Sequence, residues 1–287
     1  MISSALELIE STKNDRVLFA GEGIRDIYEY VSPLGRPLKD LILSVESLKR
    51  EVFEGGIQAT ANHASNFCSM VDVWSDRTVT KLRYVEQAYF RKLFQVYLGT
   101  EMNHETRPAQ IASYDCVCVV DYGHGMMGQQ YAQELEDEAS YLAVNVQANS
   151  GNYGFNLATK YDRCDYLVVD ELEARLATQN QFGPIEKSLE ELSYLAPKVI
   201  ITLGNKGCIG FSKEDGIKTV PSFTPSVVDT MGAGDAFFGV TAPMSRVGKI
   251  EDLMLIGNAA GGLKAQTVGH RKAVTKADVI TKLKTLA

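Results

Sequence analysis

The segment Val228-Asp229-Thr230-Met231-Gly232-Ala233-Gly234-Asp235-Ala236-Phe237-Phe238-Gly239 carries the residue types that transfer of a phosphate group requires. Two glycines one residue apart let the backbone turn tightly and bring its amides close to a ligand. The apolar run after Asp235 predicts the start of a helix, whose unpaired amides and positive dipole end make an anion hole. A migrating phosphoryl group must be held in line between nucleophile and leaving oxygen while its charge is stabilised, and such a hole can do both. Asp235, at the rim formed with Gly232, Ala233 and Gly234, can take the proton of an attacking hydroxyl, where position matters more than base strength. The alternative is a tight loop in which Asp235 only caps the helix.

Those residues need a scaffold, and the hydrophobic pattern predicts one. Cys116–Val120 is a wholly apolar run ending in Asp121-Tyr122-Gly123. Strands at 141–146, 166–169 and 199–203 follow, separated by helices over about 128–139, from Glu171, and over about 185–195. Continuous apolar strands alternating with helices imply parallel strands covered on both faces. Upstream, the pattern predicts a helix over 1–13, a strand at 16–20 ending at Gly21, a helix from Ile57 to Met70, and a strand at 71–74. Residues 78–97 alternate as strands with room for a short helical insert, whereas 28–52 shows no strong period. Helices over about 233–246 and 251–267 and a short terminal helix complete the chain. Without a repeat or a low-complexity linker, the simplest organisation is one domain over 1–287 with a local β-excursion.

A formal net charge of −7 argues against a general nucleic-acid binder, which needs a basic stripe to displace counterions. Apolar residues make up 45% of the chain and charged residues 23%, an ordinary balance for a protein with a sizeable core. No apolar stretch approaches the length of a membrane span, and the first residues lack the basic and apolar regions of a signal peptide. The five cysteines show no C-x-x-C spacing, so reduced, buried thiols in a cytoplasmic protein are expected. Cys116 and Cys118, two apart on a strand, should share a face. No G-x-x-x-x-G-K-[ST] occurs, which excludes a P-loop enzyme. Gly21-Glu22-Gly23 follows a strand, but Asp26 stands where a dinucleotide fingerprint needs glycine, so an NAD-dependent reading fails.

The Asp229–Gly239 pattern resembles the C-terminal signature of the ribokinase/PfkB carbohydrate kinases. The resemblance implies an α/β ribokinase-like fold, a mainly parallel sheet flanked by helices, with a small β-lid from about 28–54 and 74–97. It implies ATP and Mg²⁺ as cofactors and a sugar or sugar phosphate as acceptor. Gly21 to Asp26 is similar to the family's G-x-x-x-x-D, making Asp26 a ligand of sugar hydroxyls, and Gly55-Gly56 is similar to its double glycine. Ala59 stands where the family usually places a sugar-binding Asn, with Gln58 and Asn62 as its neighbours.

Thr80-Lys81-Leu82-Arg83 resembles the T-K-x-R of bacterial heptose-phosphate kinases, the kinase half of ADP-heptose synthesis enzymes. Lys81 and Arg83 share a strand face suited to a substrate phosphate. Asp121-Tyr122-Gly123-His124-Gly125 matches the same subfamily and ends a strand, where open α/β sheets bind ligands; His124 there is either a substrate contact or a turn residue. Asn145, with Gln147 and Asn149, offers amides at the next strand end. Asp170 and Glu173 stand where the family's N-x-x-E organises Mg²⁺, directly or through water, unless they only favour a helix N-terminus. Thr202, Gly204 and Gly207 resemble the T-x-G-x-x-G that lines the nucleotide site, joined by Thr230 and by Asn258 beside adenine. A homodimer through the lid and a link to a nucleotidyltransferase accompany the resemblance. The alternative function is a catalytically weak sugar- or nucleotide-binding module of a nucleotidyltransferase-linked assembly.

Overall fold

Cys116–Asp121 shows most directly how this sequence builds its body. Every residue of the strand is buried. Successive side chains of a strand point to opposite faces. Cys116, Cys118 and Val120 accordingly enter one apolar core and Val117 and Val119 the other. A strand hydrophobic on both faces must lie inside a sheet covered on both sides.

In the computed structural model, which describes residues 2–35, 37, 39–104, 106–223 and 226–286, that sheet has eight strands. The elements begin with α1 (Ile2–Ser11), β1 (Arg16–Gly21), β2 (Gly23–Pro33), β3 (Val45–Gly56), α2 (Ile57–Ala64), β4 (Met70–Trp74), β5 (Arg77–Glu86) and β6 (Arg91–Met102). Then come β7 (Cys116–Asp121), α3 (Gln129–Glu138), β8 (Leu142–Val146), β9 (Tyr166–Asp170), α4 (Glu171–Ala177), α5 (Ile185–Leu192) and β10 (Lys198–Thr202). The chain ends with β11 (Cys208–Ser212), β12 (Gly216–Val220), α6 (Ala233–Met244), α7 (Ile250–Lys264) and α8 (Lys276–Lys284). The main sheet runs β12-β11-β10-β9-β8-β7-β1-β4. It is parallel from β10 to β4, with β11 and β12 antiparallel at one edge. That antiparallel edge was not foreseen.

A second sheet, β3-β2-β5-β6, is built mainly from the stretches expected to form a lid. The stretch 28–52, without period in the sequence, contains most of its two long antiparallel strands, and no helix interrupts 78–97. Arg36 and Leu38, inside the expected lid stretch, lie outside the described residues. The lid has its own small core of Tyr28, Tyr30, Phe53 and Val85, with Phe90 and Val268 packed against it. At one crossing between body and lid there is no intervening loop: β1 passes into β2 across Glu22 alone. All five thiols are unpaired and buried, and the Sγ atoms of Cys116 and Cys118 lie 3.5 Å apart, as the shared face requires.

Candidate active site

Strands β1, β7, β8, β9 and β10 end along one edge, at Gly21, Asp121, Val146, Asp170 and Thr202. Helix α6 starts against that edge. Gly232, its N-cap, takes the left-handed backbone (φ 74°, ψ 9°) that a side chain would oppose. Gly234 faces open space, with no atom within 4 Å of where its Cβ would be. Ala233 N donates to the Thr230 carbonyl, and the amides of Gly232, Gly234 and Asp235 have no acceptor within the helix, so an anion can take them. Asp235, also in that turn, does not cap the helix. Its Oδ1 accepts hydrogen bonds from the Tyr122 hydroxyl at 2.8 Å and from Gln147 Nε2 at 3.0 Å. These two donors fix the carboxylate in one orientation beside the amides.

The acceptor-side expectations converge on the lid. Asp26, on β2, is 2% exposed and forms an ion pair with Arg83. His270 Nε2 lies 3.4 Å from its other oxygen. Burial alone would raise the carboxyl's pKa, but the His270 hydrogen bond and the Arg83 charge outweigh it and leave the value below the usual range. Gly55 exists for this pair: a Cβ there would lie 2.7 Å from Asp26 Oδ2 and 3.1 Å from His270 Nε2. Gly56 turns the chain from β3 into α2 with φ 61°. Gln58 and Asn62 lie one helical turn apart on the same face of α2. Gln58 Oε1 is buried without a hydrogen-bond partner, whereas Asn62 is exposed.

Lys81 pairs in register with Asp26 and is 5% exposed. Arg83 is committed to Asp26, whereas Lys81 lies over the Tyr97 ring, 5.3 Å from its centroid. Burial holds the Lys81 pKa down at about 8, and the carboxylates of Asp26 and Asp235 are both close enough to oppose that shift. His124 joins this cluster: its ring is 6.0 Å from that of Tyr97 and its Nε2 is buried without a partner. Burial, then the Lys81 charge, push its pKa down to about 4, so the imidazole is neutral at physiological pH.

Asp121 is placed differently from a sugar ligand. Its carboxylate accepts from Gly123 N, Asn156 Nδ2 and the Tyr161 hydroxyl, and pairs with Lys160. About four lone-pair sites are thereby filled, so it braces the turn that carries His124. Asn145 reaches the centre indirectly, accepting from Gln147 Nε2 at 3.2 Å while donating to the Val168 carbonyl.

On the opposite flank, Asp170 caps α4 and Glu173 closes the capping box. Glu173 also accepts from Ala148 N at 3.0 Å. Burial, then the charge of Asp170, push its carboxyl up to about 8, and Asp235 adds to the effect. Among the described residues, no group of three or more His, Cys, Asp or Glu could hold a metal by itself. Mg²⁺ suits such a pair nonetheless: it takes oxygen ligands, keeps several waters, and is commonly held by one or two carboxylates with nucleotide phosphates. Two crowded acids whose charge a cation would relieve fit that donor set.

The nucleotide-side residues gather where β10, β12 and α7 meet. Thr202 ends β10, Gly204 begins the turn after it, and Gly207 has φ 94°. A Cβ on Gly207 would lie 2.1 Å from the Val220 carbonyl oxygen, so only glycine lets the two segments close. Asn258 Nδ2 donates to the carbonyls of Val220 and Pro221, each at 3.2 Å. Thr230 is exposed, and its carbonyl accepts from Ala233 N.

Three contributors escaped the sequence reading. His270 follows a helix and matches no motif. Tyr122, quoted only as part of a turn, is the hydroxyl that orients Asp235. Glu22, noticed only between two glycines, is fully buried and accepts from the amides of Tyr122, His124 and Met126. An acid alone in an otherwise apolar strand end was the available signal.

A mainly parallel sheet flanked by helices is the ribokinase-like α/β architecture. Ribokinase from Thermotoga maritima superposes with a TM-score of 0.72 at 18% identity, covering 94% of this chain and 99% of that one. Arabidopsis thaliana ribokinase, complexed with ribose and ATP, gives 0.66 at 15%, covering 95% and 99%. Residues 127–277 match the profile described as pfkB family carbohydrate kinase. The chain belongs to that family. Curated relatives include ribokinase of Lactococcus lactis subsp. lactis, 33% identical over 132 residues (44% of this chain, 40% of the relative). Inositol 3-kinase of Arabidopsis thaliana is 36% identical over 89 residues, 29% of this chain and 24% of the relative. In sequence the chain thus spans well under half the length of these relatives. Neither bears the name of a heptose-phosphate kinase.

Proposed function

We propose that this protein transfers the γ-phosphoryl group of ATP to a hydroxyl of a sugar, with a phosphorylated sugar as the favoured acceptor. Asp235 carries the reading: a carboxylate held by Tyr122 and Gln147 stands beside unpaired amides at the start of α6, with Asp26 and Lys81 on one flank and Glu173 on the other. The acceptor hydroxyl, oriented by Asp26, gives its proton to Asp235 as its oxygen attacks the γ-phosphorus. The amides of Gly232, Gly234 and Asp235 receive the charge of the migrating group, and ADP leaves towards the Thr202–Gly207 turn and Asn258. Mg²⁺, held by Asp170 and Glu173 with the nucleotide phosphates, would neutralise phosphate charge. The lid excludes water, which would otherwise take the phosphoryl group.

Lys81 favours a phosphorylated acceptor. It is a buried ammonium, in no ion pair among the described residues, and within electrostatic reach of both Asp26 and Asp235. A heptose phosphate is the acceptor the Thr80–Arg83 and Asp121–Gly125 resemblance supports. An ADP-release assay with Mg-ATP against a panel of sugars and sugar phosphates tests this. Turnover confined to phosphorylated sugars is expected, and turnover with neutral sugars alone would remove the phosphate assignment. The pH profile is a second check. Lys81 is charged below about 8 and neutral above it, so kcat/KM for a sugar phosphate should fall as pH rises through about 8, more steeply than for a neutral sugar.

The outer strands of the lid leave Leu48, Val52, Phe94, Val96 and Leu98 exposed. A second copy of this chain is the partner proposed for that surface. Sedimentation should show a dimer that Phe94→Glu dissociates, and a monomeric wild type would end the idea. A nucleotidyltransferase partner rests on the heptose-kinase resemblance alone. Five buried thiols are in keeping with a cytoplasmic setting, and among the described residues no helix is long and apolar enough to cross a membrane.

A further inference from the structure

Gly232 rests on two side chains that the proposed reaction has not used. A Cβ at Gly232 would lie 3.2 Å from Lys264 Cε and 2.7 Å from His270 Cε1. Lys264, the last residue of α7, is 1% exposed. Its ammonium donates to the Met231 carbonyl at 2.9 Å and to the Gly269 carbonyl at 2.6 Å. Both partners are main-chain oxygens, and no carboxylate pairs with it among the described residues. Gly269 N in turn donates to Asp229 Oδ2 at 2.9 Å, so Gly269 is held on one side by Asp229 and on the other by Lys264. Burial holds the Lys264 pKa below the usual lysine value, with the charges of Asp229 and Asp235 opposing the shift.

A buried cation without an anionic partner is costly, and an apolar side chain of similar length would fill the same space more favourably. Its position says what offsets the cost. A peptide unit is planar and trans, so the Gly232 N–H points opposite to the Met231 carbonyl. Anchoring that carbonyl on Lys264 therefore aims the Gly232 N–H away from the lysine. The neighbouring amides of α6 start from the same fixed plane. An arriving phosphoryl group supplies the negative charge that Lys264 lacks.

We infer that Lys264 is a positioning residue for phosphoryl transfer, setting the peptide plane at Gly232 and placing a fixed positive charge beneath the amides that receive the migrating group. This rests on the kinase reading above, and the test separates the two. Lys264→Met removes charge and donors at nearly constant volume, whereas Lys264→Gln keeps N–H donors without charge. Calorimetry would measure binding of ADP alone and of ADP with aluminium fluoride, a mimic of the group in flight that needs no turnover. Wild type should bind the mimic much more tightly than ADP. Lys264→Met should bind it about a hundredfold more weakly than wild type with ADP affinity unchanged, and its kcat should fall by a similar factor at constant KM. Lys264→Gln should lie between, and decides the matter if the methionine variant does not fold. A wild type that does not prefer the mimic sinks the kinase reading and this inference with it. A wild type with the preference, and folded variants that keep it in full, overturn the role of Lys264 alone.

Discussion

Asp235→Asn should lower kcat by about a thousandfold while ATP affinity stays within about twofold of wild type. The substitution isolates one property. Asparagine keeps the shape of the side chain, and its Oδ1 can still accept from the Tyr122 hydroxyl and from Gln147 Nε2, the two bonds that fix Asp235. Ability to take a proton is what disappears. The glycine backbone around it is untouched, so the anion hole should still receive nucleotide phosphate. ADP release gives kcat and calorimetry gives the affinity. A variant within tenfold of wild type would remove Asp235 from the chemistry. A protein that only binds sugar or nucleotide would be indifferent to the change.

Asp26→Asn should have the largest effect on stability, about 3–5 kcal/mol at neutral pH. Arg83 and Asp26 are both nearly sealed from solvent, so the substitution leaves a guanidinium buried without its counter-charge and takes the negative partner from His270. The pH dependence has a definite sign. The folded pKa of Asp26 lies below the ordinary value of 3.8, so its contribution is fully present above that value and is lost as pH falls through the folded pKa. Urea unfolding should therefore show a wide gap between wild type and variant at pH 7 that narrows below about pH 4. A gap that is small at pH 7 would mean that water, not Asp26, balances Arg83. On the proposed reading, in which Asp26 orders the sugar hydroxyls, the variant's KM for the acceptor should also rise.

The sequence revealed the body of this protein more readily than its lid, for a physical reason. Strands β7 to β10 are apolar on both faces, which leaves an unbroken signal. Strand β3 is an edge strand whose residues are mostly exposed, so charged side chains occupy five of its twelve positions and no alternation survives. Strand β2 hides differently. It is largely buried, yet it carries Asp26 and Glu29, tolerated because Arg83 and Arg50 reach them from neighbouring strands. Of the site, the residues fixed by local spacing around Asp235 were legible. His270 was not, because its partners, Asp26 and Gly55, lie more than two hundred positions away. The glycine at position 55 looked like room for a ligand, and it is in part room for that imidazole.

The passage from β1 to β2 gives the flap no slack at its root. One residue, Glu22, separates a central strand of the body from a central strand of the flap, and its carboxylate grips the turn bearing His124 through three amides. At this crossing any swing falls on Gly21, Glu22 and Gly23, and Glu22 cannot rotate far without pulling that turn along. Displacement of the flap at this crossing and the setting of the His124 turn are thus coupled through one buried carboxylate.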